Sequence, residues 1–136
     1  MNDISVPLKD TGKPGAGTTM LLVDDEESVL KVVSRLMERE GFKVLTARDG
    51  RSAIDVFRAS MNDIHVAVVD MTMPGMDGET VCRELLRIKP GIALIFASGF
   101  GSGEVAARFA PGEIAGCIQK PYRHGVLIEM VLKALA

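Results

Sequence analysis

The sequence predicts an α/β fold in which a doubly wound, five-stranded parallel sheet carries helices on both faces. Short apolar runs alternate five times with segments of helical periodicity, which is the pattern of successive strand–helix units joined by right-handed crossovers. The run at residues 66–69 is apolar throughout and lacks the alternation of a half-exposed strand. Such runs indicate strands that are buried on both sides.

The first two units are predicted from periodicity and capping residues. Residues 20–23 form a buried strand, and the following helix ends near Gly41, a residue suited to a C-terminal cap. In the second unit, residues 42–47 are the strand and Asp49 caps the helix. Helical spacing predicts one buried apolar stripe on the first helix: Val29, Val32, Val33, Leu36 and Met37.

The other three units repeat this pattern over shorter segments. Their strands are predicted at residues 66–69, 92–97 and Gly116–Gln119. Their helices are predicted to begin at Asp77, to cover residues 104–109 after a glycine-rich loop, and to cover residues 123–135.

Composition is that of one ordinary globular domain. The chain has 136 residues, of which 47% are hydrophobic and 25% charged, enough for a single core. Its net charge of −2 removes the composition-based argument for nucleic-acid binding. The longest apolar run falls far short of the roughly 20 residues of a membrane span. The first residues lack a basic-then-apolar pattern, so we do not expect a secretory signal. The two cysteines lack metal-site spacing, so we expect reduced thiols and a cytoplasmic location.

Residues 1–18 are predicted to be a flexible N-terminal tail or linker, because they are rich in Pro and Gly without apolar periodicity. Residues 12–19 match the glycine spacing of a phosphate-binding loop. However, Thr18 stands at the lysine position, and the segment precedes a strand instead of following one. The folded domain is therefore predicted over residues 19–136.

Chemically active side chains stand where the predicted strands end: Asp24, Asp25, Asp70, Ser98 and Lys120. Ligands of doubly wound sheets bind beyond the carboxyl ends of the strands, so we expect these groups to gather there. One acid alone in such a loop is more often a helix cap. Three gathered carboxylates repel one another unless a cation shares the site. Oxygen ligands without His or Cys favour Mg²⁺, which also contacts phosphate.

Taken in order, four segments resemble the receiver domain of response regulators, the CheY-like proteins of two-component signalling, over about residues 18–135. The segments are Leu22-Val23-Asp24-Asp25-Glu26, Val69-Asp70-Met71-Thr72-Met73-Pro74-Gly75-Met76-Asp77-Gly78, Ala97-Ser98-Gly99 and Lys120-Pro121-Tyr122. Each segment is weak evidence alone, but all four stand at the appropriate strand ends. The resemblance implies a flavodoxin-like (βα)5 fold with strand order 2-1-3-4-5.

The resemblance also implies roles in phosphoryl transfer. Asp70 would accept a phosphoryl group from a phosphohistidine, Ser98 would hydrogen-bond one phosphoryl oxygen, and Lys120 would neutralise another. A carboxylate is a competent nucleophile for this transfer, which depends mainly on positioning and charge compensation. The implied partners are a histidine kinase or a histidine phosphotransfer protein.

A magnesium site follows from the same resemblance. Asp25 and Asp70 would bind Mg²⁺ directly, together with the backbone carbonyl of Thr72, and Asp24 would bind it through water. The Lys120–Pro121 peptide bond is expected to be cis, as is common in this family.

Cys117 departs from the family pattern, because a Tyr or Phe that changes rotamer on phosphorylation usually stands three residues before the lysine. A thiol changes its buried area far less than a ring does. We therefore expect phosphorylation to act mainly through Ser98 and the loop at residues 99–103, with modest change in the fifth strand. Simple packing of a small residue under the fourth helix stays an open alternative.

Two other functions compete with the phosphoacceptor switch. A Mg²⁺-dependent phosphohydrolase with an aspartyl nucleophile would resemble a DxDx[TV] pattern, whereas Asp70-Met71-Thr72 lacks the second acid. A phosphorylation-independent docking domain would be expected to lack Asp25, Asp70 or Lys120. We therefore expect a regulator that catalyses only its own phosphorylation and dephosphorylation. We expect either a stand-alone receiver or a receiver from a longer protein, such as the C-terminal receiver of a hybrid histidine kinase.

Overall fold

Five strand–helix units make up the fold in a computed structural model, which describes residues 12–99 and 102–136. The strands are β1 (Thr19–Val23), β2 (Lys43–Ala47), β3 (Val66–Asp70), β4 (Ala93–Ser98) and β5 (Gly116–Gln119). The helices are α1 (Glu27–Arg39), α2 (Gly50–Ser60), α3 (Gly78–Ile88), α4 (Ser102–Ala106) and α5 (His124–Leu135). All strand pairs are parallel, in the order β2-β1-β3-β4-β5. The predicted fold class and strand order are confirmed.

Alternating side chains of the strands feed two separate cores, one on each face of the sheet. Leu21 and Val23 of β1 pack with residues of α2 and α3, whereas Met20 and Leu22 pack with residues of α1 and α5. This period of two is the geometry of an extended strand, and a sheet covered on both faces must be apolar at every position. β1 and β3 are accordingly buried throughout, while the edge strands β2 and β5 carry exposed residues such as Gln119.

Helix α1 is rotated relative to the stripe that the spacing predicted. Leu30 and Met37 are its buried residues, whereas Val32 is 57% exposed. Leu30, Val33 and Met37 follow the spacing i, i+3, i+7, which is as periodic as the predicted set. Apolar residues surround more of this helix than one face, and packing against the sheet selects the Leu30 face. The prediction of Val32 in the core was wrong.

The fourth helix is shorter than the predicted segment 104–109, since α4 covers only Ser102–Ala106. Turns continue to Phe109, whose ring is buried against Phe96 of β4 with ring centroids 5.7 Å apart. An apolar residue in a turn that folds back onto the sheet produces the same sequence pattern as another helical turn. Part of the loop at residues 99–103, to which the sequence assigned a switching role, lies outside the described residues.

Residues 12–18 make contacts that differ from those of a loose tail. The backbone N–H of Gly15 donates to the carbonyl of Glu40 at 2.8 Å, and Lys13 Nζ donates to the carbonyl of Arg39 at 3.0 Å. A Cβ on Gly15 would collide with the ring of Phe42. This turn therefore supplies partners for carbonyls at the end of α1. Residues 1–11 of the predicted tail lie outside the described residues.

Within the two described stretches, every helix is too short or too polar to cross a membrane.

Candidate functional site

The sheet brings the predicted acids together beyond the carboxyl ends of its central strands. Asp24 and Asp25 follow β1, and Asp70 ends the neighbouring β3. One carboxylate oxygen from each of the three lies within 4.8 Å of the others. Asp24 and Asp70 are buried and Asp25 is partly exposed. Three carboxylates at this separation form a cluster that could hold a metal ion.

Lys120 reaches this cluster from the end of β5. Its Nζ donates to Asp24 Oδ2 at 2.8 Å and lies 3.6 Å from Asp70 Oδ2. The lysine side chain is 19% exposed. Burial alone would lower the pKa of Lys120, but the hydrogen bond that it donates to Asp24 and the charges of Asp24 and Asp70 outweigh burial and raise it. The ammonium therefore stays protonated and offsets part of the negative charge.

Backbone amides orient two of the carboxylates. Asp24 Oδ1 accepts the N–H of Glu26 at 2.9 Å, and Asp70 Oδ1 accepts the N–H of Thr72 at 3.3 Å. Each bond closes a short turn immediately after its strand. The bond therefore restricts both the orientation of the carboxylate and the conformation of the turn. Thr72 thus lies beside Asp70, as the sequence indicated. The role of its carbonyl as a metal ligand stays a prediction.

The surroundings of Asp70 change the pKa of its carboxyl group. Burial of its carboxyl group and the neighbouring charge of Asp24 raise its pKa to about 6, against the opposing effects of Lys120 and the Thr72 N–H. A raised pKa means that the folded chain favours the neutral form of this carboxyl group over the charged form. A proton cancels the charge at low pH, and a cation would cancel it at neutral pH.

Ser98 and the cis peptide complete the predicted set. Ser98 ends β4 and is buried, and its carbonyl accepts the N–H of Lys120 at 2.7 Å. This bond ties the end of β4 to the start of the β5–α5 loop. The Lys120–Pro121 bond is cis, as predicted. Tyr122 packs against the α1 and α5 core, and burial raises the pKa of its phenol to about 12, so it remains protonated.

Gly78 is a site residue whose steric role the sequence did not reveal. A Cβ there would collide with the carbonyl oxygen of Asp70 and lie 2.7 Å from the Cα of Met71. The N–H of Gly78 donates to the carbonyl of Met71 at 3.1 Å, while Asp77 caps α3 through the N–H of Thr80. The start of α3 therefore presses against the backbone that carries Asp70. An Asp-Gly pair signals a helix start, but not this contact.

Glu26 is a second residue whose contact with the site the sequence did not reveal. Its Oε1 lies 3.6 Å from Lys120 Nζ, and its side chain is 61% exposed. An apolar groove beside this contact has a volume of about 460 Å³, and Val29, Val32 and Tyr122 line it. Val32 is exposed because α1 turns it toward this groove instead of the core.

Cys117 and the two histidines lie outside the acidic cluster. Cys117 pairs with Phe96 in the sheet and packs toward the α2 and α3 core, while Ile118 faces the other core, as the predicted alternation requires. His65 Nδ1 accepts the N–H of Thr19 at the opposite end of β1, and His124 begins α5. The modest movement expected for β5 stays a prediction.

Comparison with known proteins identifies the family. The family model described as response regulator receiver domain matches residues 20–132. The chain belongs to the response regulator receiver domain family. A receiver domain from Clostridium thermocellum is 29% identical, with a TM-score of 0.81 over 87% of this chain and 94% of that one.

Two further relatives show the range of proteins that contain such domains. Sensor kinase CckA of Brucella abortus is 33% identical over 76% of this chain. TrrA of Thermotoga maritima, solved in complex with Mg²⁺ and beryllofluoride, is 23% identical, with a TM-score of 0.75 over 87% of this chain and 99% of that one. The match to this chain covers 11% of the length of CckA, and 39% and 33% of the lengths of two other regulators.

The raised pKa of Asp70 predicts how the stability of the metal-free receiver domain depends on pH. The unfolded chain releases this proton near pH 3.8 and the folded chain near pH 6. The stabilising contribution is therefore complete below about pH 4 and is lost as the pH rises through about 6. Asp70→Asn removes this loss. Its free energy of unfolding relative to the parent should increase by about 1 to 3 kcal/mol between pH 4 and pH 7.

Urea unfolding with a chelator at several pH values measures this difference. Asp55→Asn, which changes an exposed acid on α2, is the matched control and should show no such trend. A pH-independent difference between Asp70→Asn and the parent would contradict the prediction.

Because the start of α3 lies against the backbone of Asp70, one added methyl group at Gly78 should destabilise the fold. Gly78→Ala should lower the free energy of unfolding by about 1 to 3 kcal/mol, because the backbone at Asp70 and Met71 must move. Gly91→Ala is the control, since a Cβ at Gly91 lies in open space. Its effect should stay within about 0.5 kcal/mol. Equal stabilities for the two variants would show that the start of α3 adjusts freely.

Proposed function

We propose that this receiver domain is a phosphoryl-accepting switch in which Asp70 is the acceptor. The carrying observation is the position of its carboxylate, buried beside two other acids and 3.6 Å from the Lys120 ammonium. An Asp70 oxygen would form a bond to phosphorus while the phosphorus–nitrogen bond of a phosphohistidine breaks. The imidazole leaves with the bonding pair, and a mixed acyl phosphate remains on Asp70.

Three of the gathered oxygens fit Mg²⁺ in their chemistry, since they are hard carboxylate ligands without His or Cys. We assign direct contacts to Asp25, Asp70 and the Thr72 carbonyl, and a water-mediated contact to Asp24. When bound, the ion would supply the positive charge that an incoming phosphoryl group needs. TrrA, solved with Mg²⁺ and beryllofluoride, supports this choice of metal.

Lys120 and Ser98 would hold the phosphoryl oxygens. Lys120 Nζ lies 2.8 Å from the Asp24 carboxylate and 3.6 Å from the Asp70 carboxylate. A short movement of the flexible lysine side chain would therefore bring the ammonium from Asp24 to a phosphoryl group on Asp70. Ser98 stands on β4 next to β3, at the strand end nearest to Asp70. Both groups would act by charge and hydrogen bonding, which is how proteins accelerate phosphoryl transfer.

The donor would be a histidine kinase or a histidine phosphotransfer protein. The likeness to the sensor kinase CckA supports a place within a hybrid histidine kinase, and a stand-alone receiver is the alternative. Both cysteines are reduced thiols, which supports a cytoplasmic location. We place the receiver domain at residues 19–136, after a linker.

The chain would act as a regulator and turn over only its own acyl phosphate. A phosphohydrolase of the aspartyl class needs a second acid two residues after the nucleophile. Thr72 occupies that position, and its N–H orients Asp70. Nothing in the site favours a general hydrolase over the switch.

Phosphorylation of Asp70 predicts a specific labelling pattern. With acetyl phosphate and Mg²⁺, the parent should gain one base-labile phosphoryl group, since an acyl phosphate hydrolyses readily in base. Asp70→Asn should gain none. Asp77→Asn keeps a residue type that caps helices well, and it should label like the parent.

Intact-mass spectrometry before and after base treatment measures the label. Efficient labelling of Asp70→Asn, or no labelling of the parent at any Mg²⁺ concentration, would contradict the proposed function.

A further inference from the structure

We propose that Glu26 is a positioning residue for Lys120: its carboxylate retains the ammonium until a phosphoryl group arrives, and thereby slows transfer to Asp70. This inference rests on the proposed function. It concerns a residue outside the acid cluster that occupies the N-cap of α1 without capping it.

Lys120 forms ion pairs with carboxylates both inside and outside the acid cluster. Within the described residues, three carboxylates lie within 4 Å of its Nζ: Asp24 at 2.8 Å, Asp70 at 3.6 Å and Glu26 at 3.6 Å. Asp24 and Asp70 belong to the cluster that could hold a metal ion, and Glu26 does not. A cation on the cluster would compete with the ammonium for Asp24 and Asp70 and would repel it. Glu26 is then the carboxylate that still attracts Lys120.

Helix capping does not account for Glu26. It occupies the N-cap of α1 with extended backbone angles, yet its side chain makes no capping hydrogen bond. Ser, Thr, Asp, Asn and Gly are the residues preferred at an N-cap, and glutamate is not among them. Asp24 Oδ1 accepts the Glu26 N–H, which fixes the backbone and leaves the longer side chain directed at Lys120.

Release of Lys120 from Glu26 would accompany phosphorylation. The phosphoryl oxygens would compete with the Glu26 carboxylate for one ammonium. Removal of its charge should therefore speed transfer. Because the Glu26 side chain is 61% exposed, solvent screens its charge and the effect is small: about 2- to 5-fold in rate, the range for exposed ion pairs.

The experiment compares Glu26→Gln with Glu27→Gln. Glu27 is a neighbouring exposed glutamate that pairs with Lys31 at 3.7 Å and Arg48 at 3.8 Å. Phosphorylation rates are measured with acetyl phosphate at saturating Mg²⁺. Glu26→Gln should be about 2- to 5-fold faster than the parent, and Glu27→Gln should stay within about 1.5-fold. In a Lys120→Ala background, Glu26→Gln should have no further effect.

A structural readout separates partner exchange from a general charge effect. NMR of the Mg²⁺-loaded protein should show a nuclear Overhauser contact between the Lys120 ε-methylene and the Glu26 γ-methylene. Beryllofluoride should abolish this contact, because the lysine then binds the phosphoryl mimic.

Several outcomes would overturn the inference. They are equal rates for Glu26→Gln and the parent, an undiminished effect of Glu26→Gln without Lys120, and a contact that is absent with Mg²⁺ or persists with beryllofluoride. A parent that takes up no phosphoryl group refutes the proposed function itself. A labelled parent with an unaffected Glu26→Gln refutes only the role of Glu26.

Discussion

Electrostatic repulsion among three gathered carboxylates is the constraint on which the site depends. Asp24 and Asp70 are buried, so water screens them poorly, and Lys120 alone offsets only part of their charge. Burial and the charge of Asp24 hold the pKa of Asp70 near 6. The folded chain therefore carries an unfavourable charge arrangement that a proton, a metal ion or a phosphoryl–metal pair can relieve. A site of this kind would respond to its ligands, because its own groups leave charge uncompensated.

Topology produces this arrangement and also maintains it. Asp24 and Asp70 are far apart in sequence, and the pairing of β1 with β3 brings their strand ends together. Lys120 arrives from the edge strand β5, through the bond from its N–H to the carbonyl of Ser98. The two cores on either side of the sheet stabilise these strands. The favourable free energy of burying their apolar residues offsets the repulsion among the carboxylates. Gly78 adds close contact, because α3 begins against the backbone of Asp70.

Much of this could be predicted from the sequence, because strands buried on both sides and strand-end acids leave strong local patterns. The strand order and the cluster of Asp24, Asp25 and Asp70 followed from such patterns and from the resemblance to a known family. The rotation of α1 about its axis and the close contacts at the site could not be predicted from the sequence. Val32 satisfied the helical period but points outward, because α1 has apolar residues around more than one face. Glu26 lies near Lys120 and Gly78 lies against the backbone of Asp70 and Met71, and no spacing in the sequence encodes these contacts.

Stability in the presence of Mg²⁺ tests the central claim most directly. Thermal unfolding of the parent and of Asp25→Ala should be compared with a chelator and with millimolar Mg²⁺. A ligand that binds only the folded chain stabilises it, so the melting temperature of the parent should rise with Mg²⁺. Asp25→Ala should be at least as stable as the parent without metal, because one repulsive charge is gone, and it should gain little from Mg²⁺. A metal-free Asp25→Ala protein that is markedly less stable than the parent, or a parent that Mg²⁺ leaves unchanged, would contradict the account.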